Sequence, residues 1–388
     1  MNNKWTYKTF GEVGTFLRGK SIQKADFVEK GLPCIHYGQI HTKFGISIDK
    51  HLSEIPLEVY NKSIIASPGD VIIAITSEDL DGSCKSTAWL GDYDVAVSAH
   101  AAVYKHNLNP KFIAYYLRSN SFYIEKEKYA RGFKVMEIKP TDIARIPIPV
   151  PSSDVQKSVV SELDKINELI TQKKSQLNDF DSLTESYFFE LFGDPFVNDK
   201  GWEVKKLGDI TDPTIGLTYK PENVTSDGSG TVVLRSSNIQ QSKLSFEDIV
   251  RVNVSIKEEK YVKNGDILMC SRNGSFKLVG KVAMIQHLSE PMSYGAFMTI
   301  IRSEYNPYLF GYFKTPAFRD YLIKGKTTTV NQITVKMLKD IKLPIPPHTL
   351  IQSFAERISN IERQKQQISS SINDLETLLA SRMQYWFD

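Results

Sequence analysis

Residues 146–195 read IPIPVPSSDVQKSVVSELDKINELITQKKSQLNDFDSLTESYFFELFGDP, and this stretch decides the fold. From Val159 the apolar positions step by four and three through Val159, Leu163, Ile166, Ile170, Leu177, Phe180, Tyr187 and Leu191, with Lys173 and Thr184 as polar exceptions. A seam kept over more than four heptads predicts a coiled-coil helix. Ser152-Ser153-Asp154 supplies N-cap chemistry before it, and Phe192-Gly193-Asp194-Pro195 a glycine and proline stop after it. At about 38 residues the helix would run about 57 Å, too long to bury its seam alone.

The chain then repeats itself. Phe354, Ile358, Ile361, Ile368, Ile372, Leu375, Leu379 and Trp386 form a second seam, interrupted by Lys365 and Arg382. Working outward, Ile146-Pro147-Ile148-Pro149 returns as Leu343-Pro344-Ile345-Pro346, and Pro68-Gly69-Asp70-Val71 as Asn264-Gly265-Asp266-Ile267. The opening Trp5-Thr6-Tyr7-Lys8-Thr9-Phe10-Gly11-Glu12-Val13 matches Trp202-Glu203-Val204-Lys205-Lys206-Leu207-Gly208-Asp209-Ile210. An offset of about 196 residues marks a duplicated domain pair, not a solenoid unit. The reading is an α+β chain of two mixed α/β domains, 1–151 and 194–347, and two spacer helices, 152–193 and 348–388. The helices pair as an antiparallel coiled coil on a pseudo-twofold, with Leu163, Ile166, Ile170, Leu177 and Phe180 facing Ile358, Ile361, Ile368, Ile372 and Leu375. The competing arrangement docks each helix back on its own domain.

Composition is that of an ordinary globular protein: 388 residues, 41% hydrophobic, 24% charged. No apolar run is long enough to span a bilayer and the first residues lack a signal-peptide core, so a cytoplasmic protein is expected. Cys34, Cys84 and Cys270 are too far apart for a disulfide framework or zinc cluster and read as reduced structural thiols. The net charge of +3 divides unevenly, with +3 on 1–150, −4 on 151–193, +5 on 194–347 and −1 on 348–388. Basic globular parts suit phosphate and acidic helices suit protein, though chance and solvated faces give the same balance.

Within the globular parts, Asp70–Ile75, Val95–Val97, Thr231–Leu234 and Asp266–Cys270 are short strand candidates. Asn109-Pro110 and Asn306-Pro307 each open a helix, with the asparagine as cap, proline at the first turn and an aromatic face expected to be core.

Catalytic motifs fail on inspection. The only Pro-Pro, Pro346-Pro347, is followed by His348 and not by the aromatic residue an amino-methyltransferase needs. Gly325-Lys326-Thr327 lacks the upstream glycine of a phosphate loop, that place being Asp320. Asp194 with Glu203-Val204-Lys205 has a loose nuclease spacing but lies among turn residues. The seven histidines, His36, His41 and His100 among them, show no metal spacing, and His100 reads as structural.

What remains is recognition. Base reading needs forked side chains on exposed loops, arginine for guanine and asparagine or glutamine for adenine, with serine, threonine and lysine on phosphates. The second domain offers Arg235, Ser237 and Asn238; then Arg272, Asn273 and Lys277; then Lys326, Thr328 and Asn331. By alignment the first offers Gln39; Thr76 and Ser77 with Lys85 and Ser86; and Arg131 with Lys134. A two-lobed protein-binding adaptor without nucleic acid is the alternative.

The Trp-led opening, the Ile-Pro-Ile-Pro exit running through Gln156 or Gln352 into a long helix, and Leu191-Phe192-Gly193-Asp194-Pro195 before Lys200-Gly201-Trp202 resemble the specificity subunits of type I restriction-modification systems. The resemblance spans the chain and is weakest inside the two domains. It implies a non-catalytic subunit that reads a bipartite double-stranded DNA target through two target-recognition domains. It also implies modification (methyltransferase) and restriction (endonuclease/translocase) subunits as partners, with S-adenosylmethionine, ATP and Mg bound by them and no cofactor on this chain. One departure stands out. Where such proteins often carry Pro-x-x-Glu-Gln, this chain keeps only the glutamines Gln156 and Gln352.

Overall fold

The computed structural model describes residues 5–20, 22–132, 135–324 and 331–388. The two long helices run Ser153–Phe192 and His348–Phe387, 40 residues each. The chain divides into two compact units, 1–175 with 369–388, and 176–368. The division cuts each helix near its middle, with 153–175 and 369–387 in the first unit and 176–192 and 348–368 in the second.

In the first unit a five-stranded sheet has the order Gly14–Arg18, Ala101–His106, Val71–Ala74, Ser86–Trp89, Ser47–Ile48. A four-stranded sheet has the order Ser53–Ile55, Leu32–Ile35, Val95–Val97, Ile64–Ala66, with Val95–Val97 parallel to Leu32–Ile35. Val71–Ala74 is buried along its whole length, which is why its sequence runs apolar without alternation. The second unit repeats the plan. One four-stranded sheet is centred on Ile267–Cys270 and Met298–Ile301, and another pairs Thr231–Leu234 in parallel with Met292–Tyr294.

The repeated ends of each domain meet. Tyr7–Thr9 pairs antiparallel with Pro147–Pro149, and Glu203–Lys206 with Lys342–Ile345. Proline has no N–H to give, so the Pro-x-Pro strands suit a two-stranded ribbon rather than a sheet interior. In both units a buried tyrosine hydroxyl donates to a proline carbonyl of this ribbon, Tyr116 to Pro147 and Tyr308 to Pro344, each at 2.7 Å. Those tyrosines lie on the helices Pro110–Tyr116 and Asn306–Lys314, whose aromatic faces are core as expected. Asn109 caps the first of these through its side chain, but Asn306 does not cap the second. It sits inside that helix and donates to the carbonyls of Gly265 and Ile301, anchoring the helix to the neighbouring strands.

The long-helix seams are buried or half-buried at every position named from the sequence. Within the first unit Glu162 accepts from Arg382 and Trp386, and Lys174 reaches Glu376 at 2.7 Å. Within the second, Lys365 pairs with Asp181 at 2.6 Å and Tyr187 stacks on Phe354. In each unit the numbers rise on one helix as they fall on the other, so the segments are antiparallel. Lys365 is 4% exposed, so the polar break in the second seam is a buried ion-paired lysine with a second partner in Glu362.

Two alternatives posed by the sequence turn out to coexist. Each helix start packs on its own domain, Val159, Val160 and Leu163 in the core of the first and Ile351 and Phe354 in that of the second, while Phe387 of the second helix joins the first core and Phe188 and Phe192 of the first helix join the second. Phe188 and Phe192 lie one residue beyond the seam positions Tyr187 and Leu191, because the helix end is covered by the domain as well as by its partner helix. Gly311 makes this possible, since a Cβ there would collide with the Phe188 ring.

Among the described residues no helix is long and apolar enough to cross a membrane. The three cysteines are free and buried, and burial pushes the Cys34 and Cys84 thiols up to about 12, as inert structural thiols require.

The Glu162 carboxyl is held below the usual glutamate range, chiefly by the Arg382 hydrogen bond and against the cost of burial. Its folded pKa being depressed, the stabilisation is present above the ordinary glutamate range and is lost as pH falls through the lowered value. Glu162→Gln should therefore lower stability at neutral pH and flatten its decline in acid, read by denaturant midpoints between pH 3 and 7. An unchanged acid slope would assign that slope to other groups.

Candidate nucleic-acid interface

In the second unit the buried strand Ile267–Cys270 ends at Ser271, where four stretches of chain meet. The backbone N–H groups of Ser271 and Arg272 both donate to the Phe297 carbonyl, at 2.9 and 3.1 Å. Ile333 N–H donates to Ser271, Asn273 N–H to Asn331, and Arg272 bridges to Gln332. The Asn273 amide reaches the Ser236 hydroxyl at 3.1 Å, and the Asn331 amide the Gly274 carbonyl at 2.8 Å. The first two clusters singled out from the sequence therefore converge with the described end of the third, Asn331 and Gln332, and with the turn Gly295–Met298 as a fourth part. Leu217 N–H donates to Tyr294 at 2.7 Å and Gly216 N–H to Met298, so the strand from Thr214 packs on this turn and holds it.

The candidates do not stand alike. Arg235 is turned onto Asp248 at 2.7 and 2.8 Å, and Asn238, 1% exposed, accepts from Arg235 N–H and donates to the Ser245 and Asp248 carbonyls. These two build the loop. The Ser237 hydroxyl is buried without a hydrogen-bond partner among the described residues. Lys277 is exposed, and Lys326 and Thr328 lie outside the described residues. Of the five arginines between 194 and 347, Arg235, Arg251 and Arg302 pair with carboxylates and Arg319 with carbonyls. Arg272 has no such polar partner among the described residues. It is exposed, with its guanidinium 5.2 Å from the centroid of the Phe297 ring.

The first unit brings together the corresponding stretches. Ile75 N–H donates to His100 and Ile138 N–H to Ile75, while Thr76–Ser77 pairs with Met136–Glu137, and Glu137 with Arg131. Thr76 is buried and its carbonyl accepts from His41 Nε2 at 3.0 Å. Lys85 Nζ is held on the His41 carbonyl at 2.7 Å, and burial lowers its pKa. Gln39 closes the helix start at His36 and donates to Ser53 at 2.7 Å. Ser86 is buried, Ser77 reaches Asp79, and Arg131 is exposed with Asp142 at 3.8 Å. Lys134 lies outside the described residues. Thr76, Lys85, Ser86 and Gln39 are thus committed to the fold, leaving an exposed His100 whose ring lies 5.1 Å from that of Tyr37.

Phe297 escaped the sequence reading, and His100 was read there only as structural. Each follows a small residue in the turn between two buried strands, Ser98-Ala99-His100 and Gly295-Ala296-Phe297, and each carbonyl receives the N–H that follows the buried strand. That pattern is the signal that could have found them. No group of three or more His, Cys, Asp or Glu among the described residues is placed to hold a metal.

Of the polar residues at this site, Asn238 carries the clearest structural consequence. Asn238→Ala would leave the Ser245 and Asp248 carbonyls and the Arg235 N–H without partners, and should cost about 1 to 3 kcal/mol in a denaturant titration. A loss near zero would mean that water replaces the amide.

Comparison with known proteins follows the same repeat. The model of the type I restriction modification DNA specificity domain matches twice, at residues 2–179 and 199–377. The type I restriction enzyme EcoKI specificity subunit of Escherichia coli is 23% identical over 92% of this chain and 82% of its own length. The StySPI specificity subunit of Salmonella potsdam is 22% identical over 98% and 87%. Among solved structures, the S subunit of the M. genitalium type I system aligns at TM-score 0.55 and 15% identity over 99% of this chain and 96% of that one. A chain from work on complex assembly and conformational transition of the type I R-M system aligns at TM-score 0.62 and 17% identity, covering 100% and 98%. These two likenesses carry the fold alone.

Proposed function

We propose that this chain, which belongs to the type I restriction modification DNA specificity family, is the DNA-reading subunit of a type I restriction-modification complex. Each globular domain reads one half of a bipartite double-stranded target, and the paired helices set the spacing. The chain directs modification and restriction subunits to the target. It carries no catalytic centre of its own, S-adenosylmethionine, ATP and Mg being bound by those partners, and it works in the cytoplasm.

The observation that carries this reading is the twofold family match, each copy covering one domain and helix material. Support comes from the loops. In each unit the stretches chosen for base-reading chemistry converge on the end of one buried strand, which is how a scaffold presents a recognition surface. The net positive charge of 1–150 and 194–347 suits phosphate. Duplex affinity of the assembled complex should fall steeply with salt, log K scaling with log salt at about −0.9 per phosphate contact. A flat response would favour the protein-binding adaptor.

The spacer role has its own test. Removing residues 173–179 and 368–374 takes one heptad from each helix and keeps both seams in register. The helices shorten by about 10 Å at about 1.5 Å per residue, close to three base pairs. Binding to the natural target should fail, and selection from duplexes with varied spacers should recover the same half-sites at a changed spacing. Undiminished preference for the original spacing would rule the spacer role out.

A further inference from the structure

We propose that Arg272 and Phe297 form one specificity-determining pair in the second domain. Arg272 reads a guanine, and the Phe297 ring contacts the C5 methyl of a neighbouring thymine. The proposal rests on the DNA-reading function above and goes beyond it in naming the contacts and the bases.

Three observations lead here. Phe297 is 58% exposed, an aromatic ring left in water at the point where the recognition stretches meet. Its turn is nonetheless fixed, because its carbonyl takes two N–H groups and the Met298 N–H closes on Gly295. Arg272 is the one arginine of 194–347 whose guanidinium has neither carboxylate nor carbonyl partner among the described residues.

Chemistry then assigns the roles. A guanidinium lying over an aromatic ring is restrained by its π face while its N–H groups remain free at the edge, and a restrained fork loses less entropy on binding guanine O6 and N7. The ring has no polar atom, so its partner in a major groove must be apolar, and thymine's methyl group is the apolar feature there. The first domain has Thr76 buried at the position of Arg272 and a histidine at that of Phe297, so the pair belongs to one half-site only.

The test uses the full chain assembled with its modification subunits and two randomised duplex libraries, one with thymine and one with uracil, which lacks the methyl, in its place. Wild-type selection should return a motif in which thymine adjoins guanine in one half-site. Uracil at that thymine should weaken wild-type binding about fourfold, the worth of one buried methyl, and leave Phe297→Ala unaffected. Phe297→Leu should keep the thymine preference, and Arg272→Ala should relax choice at the adjacent guanine alone. The pair is overturned if uracil weakens wild type and Phe297→Ala equally, or if no thymine adjoins guanine in the motif. A wild-type complex that enriches no sequence would overturn the DNA-reading function and the pair with it, whereas a clean motif indifferent to Phe297 would remove the pair alone.

Discussion

Each globular domain is tied shut by a short ribbon in which its first strand pairs with its last, Tyr7–Thr9 with Pro147–Pro149 and Glu203–Lys206 with Lys342–Ile345. The tie is reinforced nearby, where Phe10 N–H donates to Ile146 and Gly11 N–H to Ala144, and where Leu207 N–H donates to Ile341. With the ends joined at the root of the long helix, the chain between them forms a closed loop. Loop-closure entropy rises only slowly with length, about 0.6 kcal/mol for each doubling. Insertions and new side chains in the recognition stretches are therefore cheap while the ribbon and the buried strands hold. This explains why the two copies agree at their ends and diverge between 76–85 and 271–277.

The same root orders the start of the central helix. Gln156, buried, accepts from Asn109 N–H and donates to the Pro151 carbonyl, binding the helix start to the cap of Pro110–Tyr116. Its repeat equivalent Gln352 is exposed. One retained glutamine thus has an internal task, while the other is available at the surface.

Much of the architecture was legible because it depends on periodicity. The seams from Val159 to Leu191 and from Phe354 to Trp386 show as a stepped apolar pattern, and the buried strands Val71–Ala74 and Ile267–Cys270 as short apolar runs between turn residues. Side-chain commitments inside the loops were not legible. Nothing in the order Arg235-Ser236-Ser237-Asn238 shows that Asp248 takes the guanidinium, or that Asn238 is spent on two carbonyls, since those partners arrive by folding. Asn306 reads as a cap because Asn-Pro opens helices, yet the Gly265 and Ile301 carbonyls took its amide. Phe297 was missed for the converse reason. A lone apolar residue in a sequence reads as core until the fold shows it in water.

The two recognition surfaces differ chemically. In the first domain Arg18 pairs with Glu137, Arg118 donates to the Gly45 and Ser86 carbonyls, and Arg131 and Arg145 share Asp142, leaving the rings of Tyr37 and His100 at its centre. In the second, an arginine with neither carboxylate nor carbonyl partner among the described residues and an exposed phenylalanine take that place. On the proposed function, a chain built this way reads two unlike half-sites from one scaffold. Mapping modified bases across the genome of cells carrying this chain with its partner subunits tests that most directly, comparing wild type with a variant in which only residues 271–277 and 295–298 are exchanged for a relative's. The account predicts a motif of two short half-sites separated by a fixed run of unspecified bases, with one half alone altered in the variant. A continuous motif, or a change in both halves at once, would contradict it.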